Sequence, residues 1–139
     1  MITSPYDKYR QSSVKTAAPE HLVVMLYDGA IRFIRTAMQG LESSDVTKSN
    51  LHFGKAQTII SELMSTLDQS YDVSKNLYVL YEYTNFLLIE ANIKKDKAKA
   101  EEALGYLVEL RETWVEASKI AGSQAQKTAS IGSGEAIHG

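Results

Sequence analysis

Residues 97–121 read KAKAEEALGYLVELRETWVEASKIA, and a single spacing runs through them without a slip. Ala100, Ala103, Leu107, Leu110, Trp114, Ala117 and Ala121 follow one another at steps of three and four. Such steps line one face of an α-helix of 3.6 residues per turn, and a narrow seam of this kind belongs to a helix packed lengthwise in a bundle.

Three more blocks with the same period precede it. Pro19 is preorganised for a first helical position. Behind it Leu22, Met25, Leu26, Ala30, Phe33, Ala37 and Leu41 form one face, widened by Val23, Ile31, Ile34 and Met38. Gly40 and the run Glu42-Ser43-Ser44-Asp45 close that block and supply caps for the next. Phe53, Ala56, Ile60, Leu63 and Leu67 mark the second helix, and Asp68–Asp72 the turn after it. Leu77, Leu80, Thr84, Leu87 and Ala91 mark the third, with Tyr81 and Leu88 beside the stripe. Lys94 and Lys95 suit the negative end of its dipole, and Asp96 can cap the fourth.

The two prolines are Pro5 and Pro19, so nothing from Glu20 to Ala121 forces a break. No strand-like alternation competes. The expected fold is all-α, an antiparallel four-helix bundle over residues 19–121 with Gly122 ending the last helix. Residues 1–18 hold too few apolar side chains for a core and form an N-terminal segment. Residues 122–139 are small and polar and are expected to be a mobile tail.

Composition narrows the function. Of 139 residues, 44% are hydrophobic and 23% charged, which suits one folded domain. A net charge of −2 with mixed signs does not suit a chain built to grip nucleic acid or an anionic membrane. With no cysteine there is no disulfide framework, thiolate metal site or cysteine nucleophile. Met1–Tyr6 lacks the apolar run of a secretory signal, and the longest later run, Phe86–Ile89, is far short of a membrane span. A cytoplasmic protein without membrane insertion is the default.

Catalysis has no foothold. His21, His52 and His138 are dispersed and have no relay partner. One Glu-x-x-His occurs, Glu135 to His138, but it stands in the tail without the twin a di-iron bundle site requires. No glycine-rich phosphate loop appears. Lys94, Lys95, Lys97 and Lys99 cluster at a turn, and Glu101 and Glu102 follow at once. No enzyme, metal, cofactor or nucleic-acid function is expected.

Aromatic residues say more. Five of the eight tyrosines, Tyr71, Tyr78, Tyr81, Tyr83 and Tyr106, fall within one stretch. Tyr78, Tyr81 and Tyr83 cannot all enter one seam, because positions two and three apart diverge around a helix. Ile59 and Met64 likewise make the second helix wider than one seam needs. Such width either offers a groove to a partner helix or marks the centre of the bundle.

Three stretches resemble a known family, the flagellin-specific export chaperones of the FliS type. They are Thr16–Ala30 (TAAPEHLVVMLYDGA), Leu80–Tyr83 followed by Leu87–Asp96 (LYEY and LLIEANIKKD), and Leu107–Trp114 (LVELRETW). Their order and separation agree with the family, and the likeness covers roughly residues 5–118. The turn Asp68–Ser74 is shorter and less glycine-rich than is usual there, and the tail has no counterpart.

The resemblance implies a bundle that binds the C-terminal region of flagellin, prevents premature polymerisation, and delivers it to the export gate of the flagellar secretion apparatus. It also implies an N-terminal segment lying over an apolar groove, with Tyr6 and Tyr9 as its anchors and gate contacts. With the surplus apolar surface added, the candidate partner-binding residues are Tyr6, Tyr9, Ile59, Leu63, Leu77, Tyr78 and Tyr81. The alternative is an adaptor bundle whose main partner is a flagellin-assembly regulator or the gate itself.

Overall fold

The computed structural model describes the backbone from Pro19 to His138 and the side chains of residues 21–120. Four helices occupy that span: α1 (Pro19–Glu42), α2 (Val46–Ser65), α3 (Asp72–Lys94) and α4 (Lys97–His138). The first helix begins at the proline whose fixed φ suits that place.

Two of the three links use the same device. After α1, Ser44 takes a left-handed conformation (φ 57°) and the Asp45 N–H donates to the Gly40 carbonyl at 2.8 Å. Asp45 then caps α2, its carboxylate accepting from the Lys48 N–H at 3.0 Å. After α3, Lys95 is left-handed (φ 52°), the Asp96 N–H donates to Ala91 at 3.0 Å, and Asp96 accepts from the Ala98 N–H at 3.0 Å. Each link therefore satisfies the orphan groups of one helix end and one helix start within two or three residues. Links this short force consecutive helices to lie antiparallel. The third link is held by Asp68, which accepts from the Ser70 N–H and hydroxyl at 3.0 and 2.7 Å. That hydroxyl keeps the Asp68 carboxyl below its ordinary pKa.

Cross-links show the directions. Asp28 pairs with Arg111, and Glu42 with Lys97 at 2.6 Å, so α1 and α4 run oppositely. Asn50 accepts from Lys95 at 2.8 Å and Ser61 meets Asn85 at 3.5 Å, which sets α2 against α3. The Tyr83 hydroxyl donates to Glu102 at 3.1 Å across α3 and α4. Each helix packs on its neighbours in sequence, and α4 closes the ring against α1. This is the expected antiparallel four-helix bundle.

The core holds Leu26, Tyr27, Ala30, Ile31, Ile34 and Ala37 of α1, then Phe53, Ala56, Ile59, Ile60 and Leu63 of α2. Tyr81, Leu87, Leu88 and Ala91 of α3, with Ala100, Ala103 and Leu107 of α4, complete it. The α1 face is rotated from the expected one: Tyr27 and Ile34 lie at its centre and Phe33 at its edge, half-buried.

The α4 seam is followed only in part. Burial is complete to Leu107, Leu110 and Trp114 are half-buried, and Ala117 is exposed. The helical backbone does not stop at Gly122 but continues to His138. Glycine and serine lower helix propensity without removing a hydrogen-bond donor, and no proline intervenes.

Candidate partner-binding surfaces

At the end of the bundle where residue 19 enters, α1, α3, α4 and the link between α2 and α3 bound a cavity of about 550 Å³. Leu22 and Val23 of α1, Leu67 of the second link, Val73 and Leu77 of α3, and Trp114 of α4 supply its apolar wall. Tyr81 lines its inner side. The Tyr81 hydroxyl shares a short hydrogen bond with that of Tyr27, and both rings are fully buried. A buried phenol needs such a partner, because an unpaired hydroxyl in a core is costly. Burial pushes both phenols above their ordinary pKa. For Tyr27 the neighbouring Tyr81 adds to the effect, while a hydrogen bond from the Trp114 indole opposes it.

A second surface lies on the outside of α3. While Tyr81, Thr84, Leu87, Leu88 and Ala91 face inward, Val79, Tyr83, Phe86, Ile89 and Ile93 are exposed on the opposite side. Val79, Phe86 and Ile93 recur every seven residues and carry 63%, 50% and 72% exposure. A stripe of that period extends about 21 Å along the helix at 1.5 Å per residue, and it has the spacing one helix presents to another. The helix is therefore apolar on two faces, of which the bundle uses one.

The edge toward α4 is aromatic and acidic. Tyr83 stacks on Phe86 with ring centres 6.2 Å apart and tilts against Tyr106 at the same separation. Glu102 Oε2 accepts from both phenols, at 3.1 Å from Tyr83 and 2.8 Å from Tyr106. That carboxylate raises the pKa of each phenol, because it stabilises the protonated donor.

No described helix is long and apolar enough to cross a membrane. Among the described residues this is a small bundle with an apolar cavity at one end and an exposed helical stripe on α3. The family model for the flagellar protein FliS matches residues 2–121. This chain belongs to the FliS family.

Relatives include the flagellar secretion chaperone FliS of Bacillus subtilis, 40% identical over 84% of this chain and 87% of its own length. The FliS of Salmonella typhimurium is 34% identical over 84% and 89%. The FliSB of Pseudomonas aeruginosa is 29% identical over 75% and 84%. Family membership makes this chain a flagellar secretion chaperone by kind, and that family is not one of enzymes.

Within this FliS bundle the expected site residues separate. Leu77 and Tyr81 meet at the cavity, whereas Tyr78, 38% exposed, does not line it. Ile59 and Leu63 are fully buried in the core, so the extra width of α2 is bundle centre rather than groove. The reason is local: α1 approaches so closely that a methyl group on Gly29 would sit 3.0 Å from Ile59 Cδ1. Tyr6 and Tyr9 lie outside the described residues. The seven-residue recurrence of Val79, Phe86 and Ile93 is visible in the sequence. They run parallel to a stronger inward stripe on the same helix and are masked by it.

Proposed function

We propose that this FliS family member holds the C-terminal region of flagellin in the cytoplasm before export, on the outer face of α3. The observation that supports this is the exposed stripe Val79–Tyr83–Phe86–Ile89–Ile93 on a helix whose other side is already in the core. A flagellin segment that orders as it binds gives up roughly 2–5 kcal/mol or more. Burial of large apolar side chains contributes roughly 1.5–3 kcal/mol each when complete. Five of them on one stripe are enough to offset the ordering.

In this reading the apolar cavity is the seat of the N-terminal segment. Tyr6 and Tyr9 are its anchors, and Leu77 and Tyr81 form part of the rim. Release of that segment presents the two tyrosines to the export gate. Holding flagellin away from its own kind prevents early polymerisation, and gate contact delivers it.

Calorimetric titration of the full chain with a flagellin C-terminal segment, followed by circular dichroism of the mixture, tests this. One-to-one binding with a negative heat-capacity change and a gain in helix is expected, and Phe86→Asp should abolish it. Equal affinity for the variant would move the site elsewhere. No heat from a folded sample would turn attention to the adaptor reading, with a regulator or the gate as main partner.

A further inference from the structure

The α3 stripe has an asymmetric border. Toward α2 the neighbouring polar groups are neutral, Ser61 and Asn85 among them. Toward α4 they are acidic. Glu102, Glu109 and Glu116 recur every seven residues on the exposed side of α4, and Glu102 reaches α3 through Tyr83. Glu82 is exposed on α3 itself, within the stripe and one turn before Phe86.

Three nearby cations are engaged elsewhere: Lys97 with Glu42 and Glu101, Lys94 with Glu90, Arg111 with Asp28. Among the described residues no lysine or arginine lies within ion-pair distance of Glu82, Glu102 or Glu109.

Glu102 differs from an ordinary solvated glutamate. Two phenols from different helices donate to one of its oxygens, Oε2, and hold it beside the stacked Tyr83 and Phe86 rings. The other oxygen is not used by either phenol. A fixed carboxylate next to aromatic faces is a receptor for an ammonium or guanidinium group, which the rings attract through their quadrupoles and the carboxylate through its charge.

We infer that the outer face of α3, with the edge of α4 beside it, selects a helix with a basic flank: its apolar side covers Val79, Phe86 and Ile93, and a Lys or Arg beside that stripe seats on Glu102 between Tyr83, Phe86 and Tyr106. This rests on the proposed docking of a flagellin helix on α3 and adds the chemistry that sets its rotation and register. Apolar stripes are tolerant of rotation and sliding, whereas a charge held at one point is not.

The test uses the full chain and a flagellin C-terminal segment, titrated at about 50 and about 300 mM salt, between which screening of exposed charges rises steeply. Glu102→Gln keeps shape and hydrogen bonding and removes the charge. It should weaken binding about three- to tenfold at low salt and much less at high salt. Changing the segment's lysines and arginines to Gln one at a time should identify one whose loss and that of Glu102 are not additive.

Phe86→Asp is the control, since it should abolish binding whether or not the charge is read. If Phe86→Asp abolishes binding while Glu102→Gln has no effect, has an equal effect at both salts, or is additive with every basic position, the inference is overturned and the docking surface stands. If Phe86→Asp itself leaves affinity unchanged, the docking surface falls, and the inference with it.

Discussion

Tyr27 and Tyr81 carry an amphipathic problem that only a pair can solve. Each ring adds a large apolar body to the core, and the Tyr81 hydroxyl would be a buried orphan without that of Tyr27. Both phenols have their pKa raised in the fold, chiefly by burial. Below the ordinary phenol value of about 10 both folded and unfolded chains are protonated, and the pair contributes its full stability. Above that value the unfolded chain ionises while the folded one still holds its protons, so stability falls as pH rises, by about 1.4 kcal/mol per pH unit for each tyrosine so held. Urea midpoints measured from pH 7 to 11 should therefore not respond to this pair up to about pH 9 and drop steeply beyond 10. Tyr27→Phe should cost about 1–3 kcal/mol at pH 7, because it strands the Tyr81 hydroxyl, and should soften the alkaline fall. An unchanged alkaline limb would mean that the pair is not what holds the protons.

At the scale of elements, closeness is set by the small residues. Where α1 runs into α2, a methyl group on Gly40 would lie 2.8 Å from the Ser49 backbone nitrogen and 3.1 Å from the Asp45 carbonyl. Backbone cannot swing aside as a side chain can. Gly40→Ala should accordingly destabilise by about 1–3 kcal/mol through overpacking. Gly54, on α2 with open space around its Cα, should behave in the opposite sense, with Gly54→Ala gaining about 0.5–1 kcal/mol from helix propensity. Thermal unfolding of the two variants side by side checks the contrast, and equal signs would refute it. The same scale explains which apolar residues periodicity leaves unassigned. On α2, Ile59 and Ile60 are adjacent in sequence and both fully buried, because that helix touches α1 on one side and α3 on the other. On α3 a second stripe is left outside. Periodicity counts apolar positions on a helix; it cannot say how many neighbours that helix has.

For the whole molecule, the ring of four helices is closed by α1 and α4, and the ring is shorter than its longest member. Burial on α4 is complete to Leu107, partial at Trp114 and absent at Ala117. A chain ending at residue 120 keeps every core residue named above and should therefore unfold in one cooperative step, with stability within about 0.5 kcal/mol of the full chain. A larger loss in denaturant titration would assign α4 beyond the bundle a role in the core. The sequence alone determined the number of helices, their order and their antiparallel arrangement. The caps at Asp45 and Asp96, the proline at 19 and the three short links leave a four-period chain little other choice. Its three stretches resembling FliS also determined the family. The tertiary structure decided which apolar residues are core and which are surface: Ile59, Leu63 and Tyr27 inside, Val79, Phe86 and Ile93 outside. It also brought Tyr83, Glu102 and Tyr106 together from two helices. The physical reason is that helix formation is local, governed by residues three or four apart, whereas burial depends on what a neighbouring helix brings to that face. A partner-binding surface is the part of the apolar pattern that no neighbour covers, and it becomes visible only when every neighbour is in place.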